Sequence, residues 1–300
     1  MQEDYQDRQD IAQEQLDRAD EEERRRREML KRALELSCYV AGSGAFGVFF
    51  RWLQTQIAFN EAGLVDKSAL NWIVVLYIAT VAFVFRRFVN KLRNGRYYLP
   101  DEFSLALKNE GRVYTAARWC IGGMMMLGGV VLLATCETHP EATLLRVVAL
   151  LALLSGLAFP LILGAAGSDI YNPRAVCLLS VLPVILFATW LITCYKSNDI
   201  NSVLWAYSIE IITACVSLVA FFRVAGFSYS TPDWQKSMFF CMMGCSLCIM
   251  SLADTRNIGS QIILLSAALM QLLYVWIMTA NLHRFEAPPK EHPNDGFERL

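Results

Sequence analysis

Deep within the apolar stretches of this chain one carboxylate stands alone. Glu210 lies eight residues into the stretch 202–222, about 12 Å from its start at 1.5 Å per residue. An ionised carboxyl in hydrocarbon costs about 2.5–3.5 kcal/mol or more, so such a residue is expected to face a bundle interior or a wet cavity. Ala206, Thr213, Ala214 and Ser217 share its helical face, whereas Leu204, Ile211, Ile212 and Val219 suit lipid or packing. Candidate partners are Arg51, near the end of the first stretch, and Arg146, three residues into the fourth. Both are long enough to reach outward to a headgroup or to turn toward a cavity. Gln261, Ala268 and Gln271 share a face of the last stretch and bracket Glu210 in depth, with Asp254 and Arg256 at the rim. This pattern supports a polar vestibule, closed below by Glu210, that binds a small solute or a proton. The same residues would also serve as an interhelical hydrogen-bond set that fixes helix register, with Arg51 and Arg146 as interfacial anchors.

Other chemistry is limited by what the chain lacks. His139, His283 and His292 fall in connections or the tail, and there is no HExxH, no GxxxxGK[ST] and no pair of aspartates inside an apolar stretch. No catalytic residues, no metal ligands and no cofactor are therefore expected. Cys241, Cys245 and Cys248 have a CxxxCxxC spacing that resembles the iron–sulfur signature of radical SAM enzymes. The resemblance covers three residues of one apolar helix without a surrounding soluble barrel, and cysteine is a common small filler of buried helices. Gly42, Gly44 and Gly47 spell a dinucleotide fingerprint, but that motif needs a preceding strand, so a packing face is expected. Cys136 and Cys194 lie at similar depth at the ends of two stretches and are candidates for a disulfide in an oxidising exterior.

The elements that position these residues are eight apolar stretches, at 34–53, 69–89, 114–135, 143–164, 174–194, 202–222, 235–253 and 258–282. A helix needs about 20 apolar residues to cross a bilayer. Strand-type alternation is absent, and lipid demands internal backbone hydrogen bonding. The expected fold class is an all-α integral membrane protein, a bundle of about eight transmembrane helices arranged as helical hairpins with a charged cytoplasmic N-terminal helix. Three regions follow: 1–32 charged helix, 33–284 transmembrane domain, 285–300 disordered tail. Lys and Arg gather on alternate connections: Arg24–Arg27, Lys31 and Arg32, then Arg86, Arg87, Lys91, Arg93, Arg96, Lys108 and Arg112, then Arg174, Arg223 and Lys236. That asymmetry predicts a multi-pass protein of the cell membrane with both termini cytoplasmic. The net charge of -1 gives no reason to expect nucleic acid as a partner.

The amino-terminal segment is long and acid-rich, unlike a cleavable signal peptide. Glu21/Arg25, Glu22/Arg26 and Glu23/Arg27 stand at i,i+4 in the favoured order, predicting a solvated helix that runs into the first span. Ala166-Gly167 and Pro173 recur as Ala225-Gly226 and Pro232, with Tyr171 and Tyr229 between; Gly95, Tyr97, Tyr98 and Pro100 form a looser copy. Glycine is expected at the left-handed residue after a helix, and Asn172 and Thr231 as caps. An amphipathic piece is expected near 102–108. Gly44, Gly47, Gly122, Gly123, Gly128, Gly129 and Gly156 predict close helix contacts, and Pro160 and Pro183 predict kinks. Two functions fit: a small-solute transporter or permease using Glu210, or a non-transporting sensor or assembly partner. The second would engage a membrane or cytoplasmic protein through residues 1–32. The bilayer is a partner in both.

Overall fold

The computed structural model describes residues 2–58, 68–109, 111–136, 142–168, 172–197 and 204–284; for 2–22, 68 and 204–206 only the backbone is considered. The tail 285–300, Tyr171, His139 and His292, and the side chains of Glu21 and Glu22, lie outside these. Within them the protein is an all-α bundle with eight helices long and apolar enough to cross a membrane. These are α1 (Gln2–Ile57), α2 (Ser68–Asn94), α4 (Arg112–Thr135), α5 (Ala142–Ala166), α6 (Pro173–Ser197), α7 (Leu204–Ser228), α8 (Trp234–Met250) and α9 (Ile258–Ala280). A single turn, α3 (Phe103–Ala106), lies between α2 and α4, and β1 (Tyr97–Tyr98) pairs antiparallel with β2 (His283–Arg284).

Each of α4 to α9 packs against the next and α9 returns to α4, so that six helices close a ring. On its outside α1 lies across α8 and α9, and α2 sits against α8 and α1. This makes α8 a central helix, and Cys241 through Cys248 are all buried. Small and sulfur-bearing side chains suit that position because they fill irregular gaps between closely spaced helices. No group of three or more metal-binding side chains occurs among the described residues.

Glycines set the spacing of the ring. A Cβ on Gly122 of α4 would lie 2.5 Å from the carbonyl oxygen of Gly156 on α5, and one on Gly129 would lie 2.8 Å from that of Ala149. As residue number rises along α4 its partner number falls along α5, so the two run antiparallel. Gly128 meets Ile263 on α9, and Gly259 of α9 meets the backbone of Leu132. On the outside, Gly44 and Gly47 of α1 receive Ile249 and Met250 of α8. Gly42, by contrast, faces open space.

Residues buried along α1 fall at Ala33, Leu36, Val40, Gly44, Gly47, Arg51 and Gln54. Steps of three and four make a seam of period 3.5, the repeat that keeps one helix stripe facing its neighbour. The amino-terminal part of α1 continues without a break, its residues 23–28 are exposed, and Glu23 accepts from Arg27 at 2.8 Å.

Two details of the connections differ from expectation. Asn172 does cap α6, accepting from Arg174 N at 3.1 Å, but α8 is capped by Asp233, which accepts from Lys236 N at 3.1 Å. Thr231 instead turns back, its backbone N–H donating to Gly226 O at 2.9 Å. Left-handed backbone occurs at Arg96 (φ 58°), Ser230 (φ 55°) and Gly111 (φ 119°) rather than at Gly95, Gly167 or Gly226. The glycines at 167 and 226 serve proximity: Asn109 O and Thr231 O stand 3.2 and 3.0 Å from where a Cβ would be.

At the end of the bundle where α1 enters, hereafter the basic end, the segment 99–107 folds beneath the ring and buries Leu99, Phe103, Ala106 and Leu107. Side-chain amides hold it there. Asn281 donates to Ala106 O at 3.1 Å and Lys108 O at 2.8 Å, and Asn109 donates to Leu107 O and Leu163 O. Arg118 of α4 turns in to donate to Asn109 Oδ1 at 3.3 Å.

Gly122→Val should lower thermal stability by about 1–3 kcal/mol, since overpacking forces helices apart. Gly123→Val, where a Cβ meets nothing within 4 Å, should leave the detergent melting curve unchanged. Desolvation pushes the Asp233 carboxyl up, but hydrogen bonds and charge from Lys236, with Arg223, together hold it below the ordinary carboxylate range. Its folded pKa being depressed, the cap stabilises above the unfolded value and its contribution is lost as pH falls through the folded one. Asp233→Ala should cost about 1 kcal/mol at neutral pH, and the difference from the parent should vanish in acid melts.

Candidate functional site

At the end of the bundle opposite the basic end, α8 passes through a 3-10 turn (Ser251–Ala253) into the short connection that starts α9. Asn257 caps α9, accepting from Gly259 N at 2.9 Å, and also bonds Thr135 at the end of α4. This short connection presents Asp254 and Arg256 to the helices around it.

Asp254 joins two guanidinium groups. Arg51 Nε donates to Asp254 Oδ1 at 2.6 Å, and Arg256 donates to Asp254 Oδ2 at 2.7 Å. Arg256 also pairs with Glu210 Oε2 at 3.3 Å and donates to Ser251 Oγ at 2.8 Å. Glu210 Oε1 accepts from Trp190 Nε1 of α6 at 3.1 Å. On the other side Arg51 donates to Gln54 Oε1 at 2.7 Å, and Gln54 donates to Asn71 Oδ1 of α2 at 2.7 Å. Gln261 of α9 donates to Asp254 O at 3.3 Å. Two cations and two anions thus form one connected set from α2 through α1, the α8–α9 connection and α7 to α6.

Burial differs along this set. Arg51 is 1% exposed, although an isolated guanidinium is among the costliest groups to withdraw from water. Its position on the α1 seam, four residues after Gly47, leaves it no outward path. The Glu210 side chain is 20% exposed and Arg256 10%, so the α7 side of the set is reached from outside and the α1 side is sealed.

Of the residues singled out from the sequence, the structure brings together Glu210, Arg51 and Gln261, through Asp254 and Arg256. Glu210 is shallower than expected: its pairing with Arg256 at 3.3 Å puts the carboxylate level with the α8–α9 connection. Thr213, one turn further in, donates to Ile209 O at 2.6 Å and approaches Leu247 O of α8 at 3.4 Å. Arg146 is on the exposed face of α5, away from this set. Gln271 lies about 15 Å further along α9 than Gln261, is fully buried, and neither amide atom has a hydrogen-bond partner. Gly244 makes its room, since a Cβ there would stand 2.0 Å from Gln271 Oε1. Cys136 and Cys194 are not joined by a disulfide in the structure; the first donates to Leu133 O and the second lies beside Glu210.

Gln54, Asn71, Trp190 and Ser251 were not anticipated. Gln54 had a signal, because it continues the buried seam of α1 one step beyond Arg51. Trp190 had none, since an indole in an apolar helix reads first as packing.

Below Glu210 the ring is filled by aromatic rings. Trp190 stacks on Phe187 with centroids 6.2 Å apart, Phe187 stacks on Phe221 at 5.5 Å, and Phe159 meets Tyr274 edge-on at 5.5 Å. Toward the basic end this column gives way to a narrow crevice of about 10 Å³, room for a single water, lined by Ser180, Pro183, Phe221 and Tyr274 and flanked by Phe103 and Leu107. The ring therefore has a charged set at one end, a packed aromatic middle and a plugged space at the other.

Asp254→Asn should destabilise by about 3–5 kcal/mol, because it removes the carboxylate from an ion pair whose guanidinium is sealed from solvent. A double variant with Arg51→Met should recover a large part of that loss, and thermal unfolding of the four species gives the coupling directly. Compared with known families, curated proteins and solved structures, the chain shows no match to any of the three.

Proposed function

We propose that this chain is a multi-pass membrane transporter or permease for a small polar solute or protons, with Glu210 as its binding carboxylate. In this reading the eight apolar helices cross the bilayer as hairpins, and the basic end with both termini is cytoplasmic. The Lys and Arg residues of α2 and of the α3–α4 region, exposed at Arg86, Arg87, Lys91, Arg93, Arg96 and Arg112, support that orientation. The set around Asp254 then lies on the outer side.

The observation that carries the reading is the state of Glu210. It is a partly exposed carboxylate at the mouth of the six-helix ring, held by Arg256 and Trp190 and followed inward by the aromatic column. A solute that carries a cation or hydrogen-bond donors competes with Arg256 for Glu210, and Arg256 keeps Asp254 as a partner when it lets go. Passage requires the Trp190–Phe187–Phe221 stack to rearrange and the Phe103–Leu107 segment to withdraw. Alternating exposure of a central site to two sides is how such bundles move solutes.

A second reading rests on α1. Its helix extends unbroken from the bundle seam to Gln2, and residues 23–28 are exposed. In that reading the protein transports nothing and holds a partner through this helix.

Glu210→Gln separates the two. Because Arg256 retains Asp254 at 2.7 Å, the variant should melt within about 1 kcal/mol of the parent. A ligand bound at Glu210 raises the melting temperature of the parent by mass action, and the variant should lose this shift across a panel of small anions, cations and amino acids at several pH values. Uptake in reconstituted vesicles should fall with it. Uptake that persists undiminished in the variant removes Glu210 from the function, and loss of a co-purifying protein on deletion of residues 1–30 would favour the second reading.

A further inference from the structure

We infer that the end of α2 binds a phospholipid with a multiply charged anionic headgroup. This rests on the membrane-spanning part of the reading above and is independent of transport.

Arg86, Arg87, Lys91, Arg93 and Arg96 are all exposed, and none has an acidic partner among the described residues. Arg86 and Arg93 share one face of α2 with Asn90, and Arg87 and Lys91 share the adjoining face. The opposite side, Phe85, Val89 and Leu92, is buried against the bundle. Membrane orientation requires only that positive charge be retained on one side. It does not require the charges to form a continuous arc on the outward face of one helix.

Three further observations give the arc the shape of a lipid site. First, the outward face of α2 just before it is apolar: Leu76, Phe83 and Val84 are 68%, 65% and 54% exposed. An acyl chain lying on these residues delivers its phosphate to Arg86 and Arg87. Second, the Arg87 guanidinium lies 5.9 Å from the centroid of the Phe83 ring, which holds the cation at the boundary between the apolar and charged parts. Third, Arg96 extends the arc beyond the helix, in the left-handed conformation that turns the chain into β1. The nearest acids in sequence, Asp101 and Glu102, are exposed, and Glu102 accepts from Ser104.

A headgroup with one negative charge satisfies one or two of these five cations, whereas an inositol phospholipid with two ring phosphates satisfies the arc. Clusters of this kind beside a spanning helix recognise such lipids through charge.

The test is equilibrium binding of the full chain in neutral detergent to short-chain phosphatidylinositol bisphosphate. Phosphatidylcholine of equal chain length and free inositol trisphosphate are the comparators. The bisphosphate lipid should bind at least about tenfold more tightly than either, since the site uses both charge and the apolar strip. R86Q/R87Q/K91Q should lose that preference and R86K/R87K should keep most of it. Equal binding of phosphatidylcholine, or undiminished binding by the neutralised variant, overturns the inference. Inositol trisphosphate binding as tightly as the lipid assigns the arc to a soluble phosphate compound and also overturns it. Should the neutralised variant misfold, binding by the unaltered protein in 1 M salt decides the matter. The charge contribution is screened there within about 3 Å, and undiminished affinity refutes it. None of these outcomes bears on Glu210.

Discussion

An arginine sealed from solvent must find its counterion where it stands, and the far end of this bundle is arranged around that requirement. Arg51 is fixed inward by the seam of α1, and Asp254 is brought to it by a 3-10 turn that continues α8 for one step before the chain reverses. Once Asp254 is committed, its second oxygen recruits Arg256, and Arg256 in turn reaches Glu210. The order of dependence runs from the sealed pair to the exposed one. Hydrogen bonds from Gln54 to Asn71 and from Trp190 to Glu210 extend it to α2 and α6. Helices that are not neighbours in the ring are thereby tied to one connection of a few residues.

Close backbone approach is the other organising constraint. Where closely spaced apolar helices meet, dispersion and the exclusion of gaps reward short backbone separations. The glycines of α4 meet α5 on one side and α9 on the other, so α4 is the narrow joint at which the ring closes. On α8, Gly244 gives its space not to a helix backbone but to the Gln271 carboxamide. That amide has no hydrogen-bond partner, and a buried unpaired amide costs about 1–3 kcal/mol.

Much of the helical framework was legible because length and apolarity alone identify such segments; the stretches 143–164 and 174–194 fall within α5 and α6. Most glycine contacts were legible too, since small residues in apolar helices have few other uses, but Gly42 and Gly123, expected to pack, meet nothing within 4 Å. Arg51 was open to an inward or an interfacial reading, and the choice was legible in the face it occupies, because Gly44, Gly47 and Arg51 follow one another at steps of three and four. Glu210 was legible as a residue that faces in, but its depth and its partner were not. Both depend on where the α8–α9 connection reverses, and a connection of a few residues carries no periodicity from which to infer this. The caps show the same limit. Asp233 displaced Thr231 because a carboxylate both accepts from the backbone and pairs with Lys236, and the left-handed positions fell one residue beyond Gly95 and at Ser230, where no composition rule points.

α1 is 56 residues of uninterrupted helix, about 84 Å from end to end at 1.5 Å per residue. Arg51 sits near one end of it and the charged segment at the other, with the contacts to α8 and α9 between them. The bundle grips this rod along the whole seam from Ala33 to Gln54, so the exposed segment leaves as a straight continuation of the gripped part. The contacts that seal the guanidinium against Asp254 also set the direction in which the charged segment projects.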